Sequence, residues 1–278
     1  MSPTEIRRIV LQQAKRANVG HIGSALCIAD ILAVLYGDIL QIPKPGAADR
    51  DRFVLSKGHA ALALYAALAL RGWIERAELD TYCEEGTKLG VHPETALPGV
   101  DFCTGSLGQG LSMASGAALA ARMQKSQRRV FCLVSDAECN EGAVWEAAMF
   151  AAHHRLTNLT VIVDENQQQA FGLTKDVIDQ TQLAARWAAF GWEIVPVDGH
   201  DTRALAAALK PRGGRGPRAV IARTVLGKGV SYMEQGRAIT QTHIAQNLIN
   251  WHYLPMSDAE YAQALAELQQ QEQEQEKS

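Results

Sequence analysis

Two short apolar runs, 130–134 and 159–163, are rich in Val, Leu and Ile and are separated by a helical pattern over 141–153. Runs of that length, closed by polar residues, predict neighbouring parallel strands of a βαβ unit. Upstream, apolar positions recur at helical spacing over 3–17, 25–40 and 60–70, before a loop over 84–103 and an Ala-rich helix over 106–124. No strand is expected before residue 130. Downstream, a helix over 181–189, a strand over 192–197, a helix over 202–209 and a strand over 218–223 continue the alternation. The pattern predicts an α/β fold, a doubly wound and mostly parallel sheet with helices on both faces. No linker divides it, so one domain is expected over 1–265. The Gln- and Glu-rich end, 266–278, is expected as a disordered tail or a frayed helix. The long polar stretch 234–252 is expected to cover a site.

Composition narrows the classes. A chain of 278 residues, 47% apolar, supports a substantial core. The net charge of −3 argues against a nucleic-acid surface, because the one basic cluster, 210–218, is interleaved with Gly and Pro and reads as a solvated turn. The five cysteines, Cys27, Cys83, Cys103, Cys132 and Cys139, form no CxxC pair, which fits reduced thiols and a cytoplasmic location. The N-terminus begins an amphipathic helix in place of a signal region, and no unbroken apolar run of membrane-spanning length occurs, so no membrane role is expected.

Chemistry enters at the ends of the two central runs. Asp136 follows the first and Asn166 follows the second, thirty positions later, about what strand, helix, strand and turn consume. Ligands of open α/β sheets sit outside the carboxyl ends of the strands, where a carboxylate and an amide oxygen suit one small hard cation. A helix-capping role for Asp136 is the alternative. Thr104-Gly105-Ser106-Leu107-Gly108-Gln109-Gly110, just before the Ala-rich helix, lets main-chain N–H groups approach a ligand or simply forms a tight turn. Four histidines, His21, His59, His92 and His252, stand in turn-like settings open to a ligand. His153 and His154 read as helix surface, and His200 as part of a turn and helix cap.

In chain order, Ser56-Lys-Gly-His-Ala, the 104–110 motif, Asn140-Glu-Gly-Ala-Val-Trp-Glu-Ala-Ala-Met-Phe-Ala-Ala-His-His, Leu159-Thr-Val-Ile-Val-Asp and Ile221-Ala-Arg-Thr-Val-Leu-Gly-Lys-Gly-Val resemble the N-terminal, diphosphate-binding part of transketolase. The resemblance implies thiamine diphosphate with Mg²⁺, for which Ca²⁺ or Mn²⁺ substitutes. It assigns the metal to Asp136, Asn166 and the main-chain carbonyl of Gln168, with Ala137 and Glu138 beside the diphosphate. Gly105 and Leu107 match positions that meet the aminopyrimidine. His59 and His252 match positions near the diphosphate and reacting centre, and His21 and His92 match histidines of the substrate channel. Glu141 matches a carboxylate that links paired sites across a subunit interface.

The activity implied is transfer of a two-carbon ketol unit from a ketose to an aldehyde. The resemblance covers the part of the family that precedes its pyrimidine-binding domain, and that domain is expected on another chain. A separately encoded C-terminal subunit, an α₂β₂ assembly and inactivity of this chain alone are therefore expected. The alternatives are a subunit of a deoxyxylulose-phosphate synthase-like enzyme or 2-oxo acid decarboxylase, or a cofactor-binding subunit without catalysis. Three departures stand out: Ser135-Asp136-Ala137 for Gly-Asp-Gly, Phe171-Gly172 for Asp-Gly, and Trp251-His252-Tyr253 for Trp-His-Gly. His243 competes with His252 for its position if the preceding loop pairs differently. The rebuilt loop implies an acceptor other than the common pentose phosphates.

Overall fold

Apolar runs without polar alternation need cover on both faces, and the central strands receive it. The computed structural model describes residues 1–234 and 250–276. Helices α1 (Pro3–Ala17), α2 (Ile22–Leu26) and α3 (Ala29–Val34) precede strand β1 (Arg52–Leu55) and are followed by α4 (Ala61–Leu70), α5 (Arg76–Leu79) and α6 (Gly110–Met123). Then come β2 (Val130–Ser135), α7 (Gly142–His153), β3 (Leu159–Glu165) and a hairpin of β4 (Gln168–Gln169) and β5 (Gly172–Leu173). The order continues through α8 (Thr174–Val177), α9 (Leu183–Ala189), β6 (Glu193–Asp198), α10 (Thr202–Leu209), β7 (Arg218–Arg223) and α11 (Ser231–Glu234), and closes with a C-terminal helix, Asp258–Glu276.

Five strands form one parallel sheet in the order β1-β2-β3-β7-β6. Successive side chains of a strand point to opposite faces, which sorts the core into two layers. Phe131, Leu133, Ile162 and Val220 pack with α1, α3, α4 and α10 on one side. Val130, Cys132, Val134, Val161 and Val163 pack with α6, α7 and α9 on the other. Parallel pairing puts the carboxyl ends of all five strands on one edge, which is where the site lies.

Each departure from the sequence pattern has a structural cause. Strand β1 was not expected, since Phe53-Val54-Leu55 is too short a run to signal a strand. It forms by pairing with β2 from Arg52 opposite Val130. Asp51, 2% exposed, anchors that edge by accepting from the Arg129 N–H at 2.8 Å and from its Nη2 at 2.5 Å. The predicted helix 25–40 is broken after Leu26 and ends in a wide turn over Leu35–Ile39. The stretch Ile22–Ile39 is apolar enough to cross a membrane by composition, yet 89% of it is buried as core. The Ala-rich helix starts at Gly110, because Gly108 before it has a φ of +83°. Residues 266–276, expected as a disordered tail or a frayed helix, belong to the C-terminal helix, which is packed and not frayed there: Leu268 is fully buried, Arg8 pairs with Glu272, and Gln271 donates to the Gly229 carbonyl at 3.0 Å.

His200 lies in the turn before α10, as expected, but does not itself cap the helix. The cap of α10 is Asp201, which accepts from the Arg203 and Ala204 N–H groups at 2.9 and 3.0 Å. His200 Nε2 accepts from the Val225 N–H at 2.8 Å, so its Nδ1 carries the proton donated to Asp30, also at 2.8 Å. Asp30 is paired with Arg7 as well, which ties α1 and α3 to the segment after β7. Burial pushes the Asp30 carboxyl up, but the His200 hydrogen bond and the Arg7 charge outweigh it and hold it below its ordinary value. A depressed carboxyl stabilises the fold above its unfolded pKa and loses that contribution as pH falls through the folded value. Denaturation followed as a function of pH should show Asp30→Asn less stable than the parent at neutral pH, with a shallower loss below about pH 4.

Candidate active site

Strand β2 ends on Ser135 and its next residue, Asp136, donates its N–H to the Asp164 carbonyl on β3 at 3.1 Å, so the chain turns down over the sheet edge there. Asp136 is 1% exposed. One carboxylate oxygen accepts from the Ala137 N–H at 2.9 Å, and the other from the Gln167 N–H at 2.9 Å and the Thr174 hydroxyl at 3.0 Å. Burial and the nearby Asp164 charge push this carboxyl up to about 7. On the next strand end, Asn166 donates to Asp164 at 2.9 Å while its Oδ1 accepts from the Gln168 N–H at 2.9 Å. Asp136, Asn166 and Gln168 line one cavity of about 310 Å³.

A second cavity of about 220 Å³ adjoins it through Asn166 and Gln168. His21, His59, His92 and His252 all line it, as do Gly105, Leu107 and Ala137. Four histidines from separate loops thus meet at one place. His21 adopts a left-handed φ of 59° at the start of α2, and its N–H donates to the His252 carbonyl at 3.1 Å. Gly20 permits this, since a Cβ there would sit 2.5 Å from the Tyr253 carbonyl carbon. His59 Nε2 lies 2.8 Å from the Ser24 hydroxyl, and the His21 and His59 ring centroids are 5.3 Å apart. The Tyr65 hydroxyl holds the third loop through the His92 carbonyl at 2.9 Å. Burial, then the neighbouring His92, lowers the His21 pKa; burial, then Lys57 and the other imidazoles, lowers that of His59 well below its usual value. Both rings are therefore neutral at neutral pH, able to accept at one nitrogen and donate at the other.

The 104–109 loop is carried over this cavity by two ties. The Thr104 hydroxyl donates to the Leu55 carbonyl at 2.6 Å, and the Gly108 N–H donates to Glu138 at 2.9 Å. Glu138, expected beside the diphosphate, does not line either cavity. It is fully buried and also accepts from the Ser56 hydroxyl at 2.5 Å and the Ser135 N–H at 2.9 Å. Its carboxylate staples three strand-end loops together and has no oxygen left uncommitted. Glu141 likewise lies outside both cavities: it is exposed at the start of α7, and a Cβ on Gly108 would come within 2.6 Å of its own Cβ. Ala137 carries no left-handed φ, so its β-carbon adds no backbone strain, but its N–H is engaged by Asp136. His243 lies outside the described residues.

Over residues 2–277 the sequence matches the family model described as the transketolase, thiamine diphosphate binding domain. The chain belongs to the transketolase family. Among relatives, the 6-deoxy-6-sulfo-D-fructose transketolase subunit of Clostridium sp. (strain MSTE9) is 41% identical over 82% of this chain and 85% of its own length. An apulose-4-phosphate transketolase subunit of Phocaeicola vulgatus is 35% identical over 94% of this chain and 90% of its own. Among solved structures, transketolase from Campylobacter jejuni superposes with a TM-score of 0.85 at 29% identity. That match covers 96% of this chain and 42% of the solved one, so the chain spans less than half of a one-chain transketolase.

The turn-like settings singled out the histidines but not the ion pair beneath them. Lys57 and Asp164 are both fully buried, with Nζ 2.6 Å from Oδ2. Lys57 also donates to the Ser24 carbonyl at 3.3 Å, and Asp164 accepts from Cys27 at 3.2 Å and from the Thr224 hydroxyl. The available signal was a charge at the end of the apolar run 161–163, at Asp164, and a lysine inside a turn motif. Removing one partner of such a pair strands a buried charge, at a cost of about 3–5 kcal/mol. Urea denaturation should show that loss for Lys57→Met and for Asp164→Leu, with the double variant less destabilised than the sum of the two.

Proposed function

We propose that this chain is the cofactor-binding subunit of a two-chain transketolase-like transferase, which moves a two-carbon ketol unit from a ketose to an aldehyde. The observation that carries this reading is the convergence of His21, His59, His92 and His252 on one cavity that adjoins Asp136 and Asn166 at the strand ends. Thiamine diphosphate, when bound, supplies the electron sink for cleaving and forming the carbon–carbon bond. The residues present fit that group. His21 Nδ1 is buried without a hydrogen-bond partner on the cavity wall, ready for a ligand atom. The Asp136 carboxylate, the Asn166 amide oxygen and the Gln168 carbonyl are hard oxygen donors of the kind Mg²⁺ takes alongside phosphate oxygens.

In this reading Gly105 and Leu107 face the aminopyrimidine, Ala137 lies near the diphosphate, and His59 and His252 flank the diphosphate and reacting centre. His21 and His92 hydrogen-bond the sugar hydroxyls and hold or pass their protons, a role that imidazole suits. Glu141 belongs to the interface between paired sites. A separately encoded C-terminal subunit completes an α₂β₂ enzyme in the cytoplasm, which agrees with five free thiols. The donor carries an anionic end, as the sulfofructose and apulose-phosphate of the named relatives do. That end is held by the partner subunit, since among the described residues the only Lys or Arg side chain lining the imidazole cavity is Lys57, already neutralised by Asp164.

Asp136 links cofactor binding to pH. Its raised pKa of about 7 means that a proton occupies the carboxyl at lower pH and competes with a cation. Calorimetric affinity for Mg²⁺ with thiamine diphosphate should rise as pH approaches about 7 and level off above it, whereas Asp136→Asn should bind weakly with little pH dependence. Activity provides the direct test. Mixed with the C-terminal subunit, the chain should transfer ketol units across a panel of ketose donors and aldehyde acceptors, with an acceptor other than ribose 5-phosphate preferred. No transfer by the reconstituted pair, or full transfer by this chain alone, would refute the proposal.

A further inference from the structure

One polar side chain on the imidazole cavity has no part in the roles assigned above. Gln169, on β4, is 7% exposed and lines the cavity, and its Nε2 is buried with no hydrogen-bond partner. A buried donor is costly to leave unpaired, so such an atom marks a place where a ligand belongs.

The neighbours decide that a nitrogen, and not an oxygen, is the unpaired atom. Arg186 on α9 has only donors to offer. Its Nη1 donates to Gln180 Oε1 at 2.7 Å, while its Nη2 is fixed on the Asp179 carbonyl at 2.8 Å. Gln180 must then present its nitrogen on the other side, where Nε2 donates to Asn140 Oδ1. Asn140 in turn donates through Nδ2 to Gln169 Oε1 at 3.4 Å. Each amide takes its orientation from the guanidinium, which removes the usual ambiguity between amide oxygen and nitrogen. The dipoles align head to tail, with the positive end at Gln169.

The cavity wall around Gln169 includes Ser135 and Ala137 from the end of β2, Asn166 just past the end of β3, and Gln168 beside it on β4. That is the strand-end position at which α/β sheets receive phosphate groups. Two main-chain donors of the β2 end are already committed, Ser135 N–H to Glu138 and Ala137 N–H to Asp136, each at 2.9 Å. A side-chain donor from the adjoining hairpin supplies what they do not.

We propose that Gln169 is a cofactor-binding residue whose carboxamide nitrogen, aimed by Arg186 through Gln180 and Asn140, donates to an anionic oxygen of the diphosphate. The inference rests on the proposed thiamine diphosphate site. It is tested by calorimetry on the full-length chain in complex with its partner subunit, using thiamine diphosphate with Mg²⁺ and, separately, inorganic pyrophosphate with Mg²⁺. Gln169→Leu should weaken both ligands roughly ten- to hundredfold, as expected for a hydrogen bond to a charged group. Gln169→Glu should weaken them further, because a carboxylate opposes the diphosphate. Arg186→Met should give a smaller loss in both, and Arg186→Lys, which keeps a donor-only cation, should restore affinity. The melting temperature of the ligand-free protein should stay within a few degrees for Gln169→Leu, which a purely structural role would not allow. Should Gln169→Leu fail to fold, the Arg186→Met and Arg186→Lys pair gives the reading, and equal affinities in that pair would overturn the proposal. Failure of the parent protein to bind thiamine diphosphate would overturn the cofactor site itself. Parent binding with unchanged Gln169 variants, or a loss for thiamine diphosphate without one for pyrophosphate, would overturn only the role of Gln169.

Discussion

A buried lysine and a buried aspartate, Lys57 and Asp164, hold the strand-end edge of this sheet together. Neither side chain reaches solvent, and desolvating both charges costs several kcal/mol each, so the pair persists only because its geometry and its hydrogen bonds are complete. Those bonds reach Ser24 and Cys27 around α2, Asn166 after β3 and Thr224 after β7. Loops from four parts of the chain therefore share one electrostatic centre. His59 lies two residues from Lys57 and Asn166 two residues from Asp164, so the same pair places the walls of both cavities.

The second consequence is a charge imbalance. Lys57 compensates Asp164, and the positive charge is largely used there. Asp136, buried one strand away, feels its own desolvation and the Asp164 charge, and its carboxyl is left poised near neutrality. Glu138 is just as buried, desolvation likewise pushes its carboxyl up, and Ser56, Gly108 and Ser135 occupy its oxygens. Two acids, two positions apart in the chain, thus take different places: Glu138 ties loops together outside both cavities, and Asp136 lines the strand-end cavity. The histidines complete the pattern, since desolvation and mutual repulsion keep His21 and His59 neutral in the cavity beside them.

Much of this was legible in the chain. The runs at β2 and β3 stood out because strands covered on both faces lose the polar alternation of a surface strand, and the pattern of helices between them implied parallel pairing. The glycine-rich entry to α6 and the turn-borne histidines signalled loops that approach a ligand. What escaped notice depended on partners distant in sequence. β1 is a strand because β2 pairs with it, the last helix stays ordered because Leu268 and Glu272 find α1, and His200 is a latch because Asp30 and Val225 flank it. The break after Leu26 had no glycine or proline to announce it.

By itself the sequence determined the parallel α/β class, the position of Asp136 and Asn166 at adjacent strand ends, and the loops that carry the histidines. Those follow from local periodicity and from the length of a βαβ unit, which are properties of neighbouring residues. Only the tertiary structure decided which acid lines a cavity and which lies outside both, that Lys57 is neutralised beneath the cavity, and that the Gln169 amide nitrogen is left unpaired. These depend on burial and on donors brought from distant parts of the chain, 107 residues away in the Lys57–Asp164 pair. The strength and direction of a polar interaction are set by its surroundings in space, and those surroundings exist only once the chain has folded.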